Sequence, residues 1–121
     1  MNSSFKDGRI AITLDKERHL LFSLNALDEL QERFGDIGKL NEIMSGADKF
    51  KNVRTLLTIL LNEGGADSGE PTLTESQVGR LIHTGNFAEV QRAIMKSFTK
   101  GGTGGETPGA GTDADADEKN G

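Results

Sequence analysis

Residues 9–34 read RIAITLDKERHLLFSLNALDELQERF, and a change of period inside this stretch decides the fold class. From Arg9 to Leu14 the chain alternates, with Ile10, Ile12 and Leu14 on one side and Arg9, Ala11 and Thr13 on the other. Period two is the signature of a half-buried strand. Arg18–Ser23 can pair back on it. With Asp15, Lys16 and Glu17 as a three-residue loop, Leu14 faces Arg18, Ile12 faces Leu20 and Ile10 faces Phe22. This register gathers Ile10, Ile12, Leu14, Leu20 and Phe22 on one face, whereas a slip of one residue would scatter them over both. A three-residue loop favours Gly or Asn in its left-handed position, and Glu17 is neither, so a longer or bulged turn stays open.

After Ser23 the period becomes helical. Ser23 or Asn25 caps a helix that runs to Phe34 and stops at Gly35, with Leu24, Leu27, Leu30 and Phe34 in one arc. Asp36 opens a short second helix carrying Ile37, Leu40, Ile43, Met44 and Ala47 on one face. Gly38 weakens it, and Ser45-Gly46 is a point of interruption.

The strongest helix is expected over Asp48–Glu63, with Phe50, Val53, Leu56, Leu57, Leu60 and Leu61 as its buried stripe and Ile59 outside it. Gly64–Gly69 reads as a loop, closed to further helix by Pro71. Thr74-Glu75-Ser76-Gln77 has the form of a capping box, and Val78, Leu81 and Ile82 share the face that follows. Thr84-Gly85-Asn86 turns the chain into a last helix, Phe87–Thr99, striped by Phe87, Val90, Ile94 and Phe98. Lys96 and Lys100 sit near its C-terminus, where positive charge suits the helix dipole. The expected fold is therefore α+β and mainly helical: an N-terminal β-hairpin followed by four or five helices.

Beyond Phe98 no Val, Ile, Leu, Met or Phe occurs. A segment without apolar surface cannot offset the entropy of ordering its backbone. The expected organisation is a flexible N-terminus (1–8), one folded domain (9–99) and a disordered acidic, Gly-rich tail (100–121). Residues 1–99 carry a net charge of −2 and residues 100–121 a net charge of −3, which together make the −5 of the whole chain. Neither part is basic, so the electrostatic footprint of a nucleic-acid or anionic-membrane binder is missing. There is no cysteine, which fits a reducing compartment. The N-terminus lacks the apolar core of a secretory signal. Apolar runs such as Ile59-Leu60-Leu61 are far shorter than the roughly 20 residues of a membrane span. These features point to a soluble cytosolic protein.

Reaction chemistry is not evident. His19 and His83 lie on different elements without the convergent ligands that a metal site needs. GGTGGETPG (101–109) has the composition of a phosphate loop but lacks its Gly-Lys-Ser/Thr ending and its strand-to-helix context. Asp113, Asp115 and Asp117 are spaced like the start of a calcium loop, yet Glu118 stands in place of the turn glycine. Residues 75–98 could form a helix-turn-helix, but Arg92 and Lys96 against Glu89 leave its second helix barely basic. The sequence thus predicts no catalytic, cofactor-binding or metal-binding residue and no enzyme activity. Ile59, on the flank of its helix, and Met95, at the edge of its own, are the positions expected at a partner contact.

The order of these segments resembles the tail assembly chaperones of long-tailed bacteriophages. The resemblance is carried by Phe22–Leu30 entering Phe34-Gly35-Asp36, by Leu56–Gly64 before a loop, and by Leu73–Phe98 with its Gly85-Asn86 turn. It spans about Ile10 to Phe98. It implies a non-enzymatic protein in the cytoplasm of an infected bacterium, absent from the mature virion, that binds the helical tape measure protein and keeps it soluble while the tail tube assembles. In such families a longer form made by ribosomal frameshifting is thought to recruit tail tube protein. Here Glu118-Lys119-Asn120 can be encoded as GAA AAA AAC, which contains a heptamer on which two transfer RNAs can slip back one base. A flexible 22-residue tail spans roughly 25 Å and would tether an added domain loosely. Self-association is left open by the sequence. The alternative reading is a small helical adaptor or regulator, DNA-associated in one version.

Overall fold

In a computed structural model, residues 8–101 are described. The period-two segment forms strands β1 (Ile10–Thr13) and β2 (Glu17–Leu20), paired antiparallel. Helices follow as α1 (Leu24–Phe34), a 3-10 turn (Ile37–Lys39) leading into the single-turn α2 (Leu40–Ile43), α3 (Lys49–Gly65), a 3-10 turn (Ala66–Ser68), α4 (Glu75–Gly79) and α5 (Phe87–Gly101). The expected α+β class, with a hairpin followed by helices, is the architecture found. The last helix extends to Gly101, two residues past its expected end. The expectations for 1–7 and for the tail from 102 onward lie outside the described residues.

The hairpin register differs from the expected one by two residues. Ile12 lies opposite Arg18 and Ile10 opposite Leu20, so the loop is Leu14-Asp15-Lys16. A two-residue shift leaves every side chain on its face, so hydrophobic alternation cannot distinguish the two registers. The observed loop is gripped by a bidentate pair, with Arg18 Nε 2.7 Å from Asp15 Oδ1 and Nη2 2.9 Å from Oδ2. Phe22, freed from pairing with Ile10, is buried beyond the strand and meets the Phe98 ring edge-on at 5.1 Å.

Helix boundaries follow side-chain chemistry. Ser23 caps α1 by accepting the Ala26 N–H at 3.1 Å, and its own hydroxyl donates to Glu63 Oε1 at 2.6 Å. One residue thereby both starts α1 and ties it to the end of α3. Gly35 ends α1 with φ +81°, a conformation that side chains disfavour. Asp36 accepts the Gly38 N–H at 2.9 Å. Thr74 and Gln77 make the reciprocal capping box.

Helix α3 is the axis of the domain. It packs against β2, α1, α2, α4 and α5, and from Val53 to Leu61 all residues except Arg54 are buried. A helix enclosed on nearly all sides has no single apolar stripe. Ile59, expected on an open flank, is only 7 % exposed, and Phe50, expected in the stripe, is 66 % exposed because it sits in the first turn of the helix. Leu24, in the first turn of α1, is likewise exposed while Ala26 takes the buried position, and Ala47 is exposed as well. Two buried hydroxyls are satisfied locally: Thr58 Oγ1 donates to Arg54 O at 2.7 Å and Ser97 Oγ to Ile94 O at 2.8 Å, whereas the buried Thr55 Oγ1 reaches Glu75 Oε1 on α4 at 3.3 Å.

Gly64 and Gly65 belong to α3 instead of the expected loop. At Gly64 the helix touches the backbone of β2 so closely that a Cβ would collide with the carbonyl of His19. One turn earlier the Leu60 carbonyl accepts the Leu21 N–H at 3.1 Å. Strand β2 is therefore pinned between β1 and the helix. Asn62 then holds the chain returning toward α4, its side-chain amide bonding both the N–H (2.8 Å) and the carbonyl (3.0 Å) of Leu73.

Candidate functional site

The most distinctive surface is an aromatic notch where α3 begins and α5 begins. Phe50 and Phe87 stack at a tilt with centroids 5.0 Å apart, and the Lys49 ammonium lies 5.3 Å from the Phe50 ring centre. Together with Arg54, Ile82 and His83 these rings line a depression of about 250 Å³. Phe50 sits here because Asp48 starts α3 one turn before the helix reaches its packing partners. Phe87 sits here because Asn86 folds the preceding turn tightly, its Oδ1 accepting the His83 N–H at 2.8 Å and its Nδ2 donating to Leu81 O at 3.0 Å.

The basic side of the notch is partly committed. Arg54 Nε is buried without a hydrogen-bond partner, and Glu75 Oε1 stands 3.8 Å away. Glu75 also faces Arg33 at 3.4 Å and accepts from Thr55 Oγ1 at 3.3 Å. A carboxylate at the first turn of α4 favours that helix dipole, so Glu75 links α1, α3 and α4 while leaving the Arg54 head incompletely paired.

A second, larger depression of about 790 Å³ runs between the outer edge of β1 and helix α5, with Met44 at one end. Met95, half-buried, is on its wall. Of the two residues expected at a partner contact, Met95 thus borders an open surface and Ile59 does not. The exposed ring of Phe50 escaped the sequence reading because its spacing matches the α3 stripe; only the position of the neighbouring elements exposes it.

The histidines are not brought together. His19 Nε2 lies 3.5 Å from Glu17 Oε2 on β2, and His83 Nδ1 accepts the Gly85 N–H at 3.1 Å in the turn before α5. Among the described residues no group of three or more His, Cys, Asp or Glu is placed to hold a metal ion, and no helix is long and apolar enough to cross a membrane. Arg92 and Lys96 lie beside the larger groove with Glu89 among them. The acidic run at 113–118 and the glycine-rich segment from 102 onward fall outside the described residues. Among the described residues the one strongly shifted carboxyl is Asp15, held down to about 2 by its hydrogen bond to the Arg18 guanidinium; it lies on the hairpin loop, remote in sequence from the notch.

No protein-family model matches the chain, and neither a curated protein nor a solved structure matches it.

Proposed function

We propose that this chain is a non-enzymatic tail assembly chaperone of a long-tailed bacteriophage, which binds the tape measure protein and, through a longer frameshifted form, helps recruit tail tube subunits. The reading rests on the resemblance over residues 10–98. Its supporting feature in the fold is that the segments carrying the resemblance correspond to elements in the same order: hairpin, α1 ending at Phe34-Gly35, apolar α3, and capped α4 turning through Gly85-Asn86 into α5.

The surface that suits this task best is the Phe50–Phe87 notch. A helical ruler held in solution before assembly must have its apolar face covered, and a groove receiving such a helix works through a few large anchors. Exposed aromatics are the usual anchors of protein contacts. Lys49 and Arg54 beside them favour a helix that carries a carboxylate one turn from its apolar anchor. The proposed contact therefore centres on Phe50 and Phe87 in place of Ile59.

Co-expression with the tape measure protein encoded in the same genome tests the reading. The intact chain is expected to raise the soluble yield of the ruler and to co-purify with it, and Phe50→Ser is expected to lose most of that capture with an unchanged circular dichroism spectrum. No gain in soluble ruler with the intact chain refutes the chaperone reading. A gain that survives Phe50→Ser refutes the notch as its surface. Mass spectrometry of the native gene's products is expected to find a minor longer product sharing residues 1–120, abolished by synonymous recoding of Lys119 and Asn120.

A further inference from the structure

Among the described residues one edge of β1 is unpaired, and the parity of that edge is fixed. In an antiparallel ladder, residues alternate between pointing both backbone groups at the partner strand and pointing both away. The Leu14 N–H reaches Lys16 O at 2.9 Å, so Leu14 is bonded inward. Ile12 and Ile10, opposite Arg18 and Leu20, share its parity and are bonded inward with it. On the far side of β2 the Leu21 N–H turns to Leu60 on α3, as the same parity requires. Ala11 and Thr13 therefore direct their N–H and C=O groups to the free edge. Both are exposed, and neither bonds through its backbone to another described segment beyond β2.

Exposed strand edges are commonly blunted by a charge, a proline or a bulge, whereas Ala11 and Thr13 are small and uncharged. Alongside them runs the groove of about 790 Å³ between Ile10, Ile12 and the α5 residues Ala88 and Met95. Glu89, Arg92 and Lys96 of α5 also border that groove and are exposed. Their spacing of three and four residues puts them in one stripe along the helix. Among the described residues their side chains make no ion pair and no hydrogen bond. The stripe is acidic toward the start of α5 and basic toward its end. It therefore complements itself when two copies run antiparallel.

We propose that β1 pairs antiparallel with β1 of a second copy of this chain about a two-fold axis at Ile12, joining the two two-stranded sheets into one. In this register Ala11 lies opposite Thr13 of the partner subunit and Thr13 opposite Ala11 of the partner subunit, so each of their N–H groups finds a carbonyl. A shift of one residue sets an outward-facing residue against an inward-facing one and makes none of these bonds. The axis stands perpendicular to the joined sheet, so α5 of both copies lies on the same face, antiparallel, with Glu89 toward Lys96 of the partner subunit. Ala88 and Met95 supply apolar contact beside the joined edge. The contact is isologous and closes after two copies. It stands independently of the chaperone reading: the groove and the Phe50–Phe87 notch share no lining residue.

Sedimentation of the full chain over a range of concentrations, with amide hydrogen exchange on the same samples, tests the pairing. A monomer–dimer equilibrium is expected, and the Ala11 and Thr13 amides are expected to gain about tenfold or more protection as the dimer fills. Ala11→Pro removes an edge donor without touching the β1–β2 ladder and is expected to leave a monomer with the wild-type circular dichroism spectrum. Glu89→Lys and Lys96→Glu, each alone, are expected to weaken dimerisation about tenfold, since the two-fold axis repeats the exposed pair. The two together are expected to restore it. These exposed helix positions decide the matter if the proline variant fails to fold. A wild-type chain that stays monomeric at about 1 mM overturns the proposal, as does a dimer whose Ala11 and Thr13 amides exchange as fast as in the monomer. A dimer that the single charge reversals leave unchanged, or that the double reversal does not restore, overturns the antiparallel arrangement. Protection that is independent of protein concentration, or that arises only when a different protein is added, overturns the second copy as the occupant of the edge.

Discussion

Gly64→Ala isolates the contact on which the hairpin depends. In most exposed helix positions this change is favourable, by about 0.8–1 kcal/mol of helix propensity. Here the added methyl would stand 2.6 Å from the His19 carbonyl carbon and 3.2 Å from the Leu20 nitrogen, and nearer still to the His19 oxygen. Those are backbone atoms of a strand already bonded to β1, so they cannot rotate away as a side-chain end could. Relief requires β2 to lift off α3, which stretches the 3.1 Å Leu21–Leu60 hydrogen bond. Overpacking of this kind costs about 1–3 kcal/mol, and loss of the hydrogen bond about 1 kcal/mol more. With the propensity gain set against them, a net destabilisation of about 1–3 kcal/mol is expected. Urea unfolding followed by circular dichroism should show a lower midpoint with an unchanged slope. The matched control is Gly79→Ala in α4, where the methyl meets the Arg54 side chain, with Cδ at 3.1 Å and Nη1 at 3.9 Å; this flexible side chain can shift, and the midpoint should stay level or rise. A Gly64→Ala protein as stable as the wild type would show that α3 and β2 do not pack this closely and would refute the reasoning.

Three further outcomes are expected. Phe98→Ala removes the edge-on partner of Phe22 and, because Phe98 is half-buried, should cost about 2–3 kcal/mol in the same unfolding assay, at or below the low end for a fully buried ring. Ile59→Asp should leave little folded protein by circular dichroism because it buries an unpaired charge, whereas Phe50→Ser should shift the unfolding midpoint by less than about 0.5 kcal/mol equivalent. The Asp15 carboxyl should titrate by NMR near about 2 instead of its ordinary 3.8, and Arg18→Gln should return it toward the ordinary value. Its folded pKa is the lower one, so its stabilising contribution is complete above the unfolded value and is lost as pH falls from about 4 toward 2.

Local signals were read correctly from sequence where a side chain acts within a few residues of itself. The Ser23 cap, the Gly35 stop, the Asp36 start and the Thr74–Gln77 capping box all bond to backbone two to four positions away. Spacing along the chain therefore sufficed to place them. The candidate notch was not legible in this way. Phe50 has the spacing of a core residue and Ile59 that of a flank residue, and each lies on the opposite side of that expectation.

What the sequence by itself determined is the series of elements, since alternation, helical period and caps are properties of neighbouring residues. It also settled which faces of the hairpin are apolar. The tertiary structure decided the rest. Two hairpin registers satisfy the same alternation, and the Asp15–Arg18 grip and the docking of β2 on α3 distinguish them. Gly64 looks like a loop residue until the backbone of β2 is seen against the helix, where any side chain would collide. The burial of α3 depends on how many elements surround it, and that is set by packing among distant segments instead of by the order of residues within the helix.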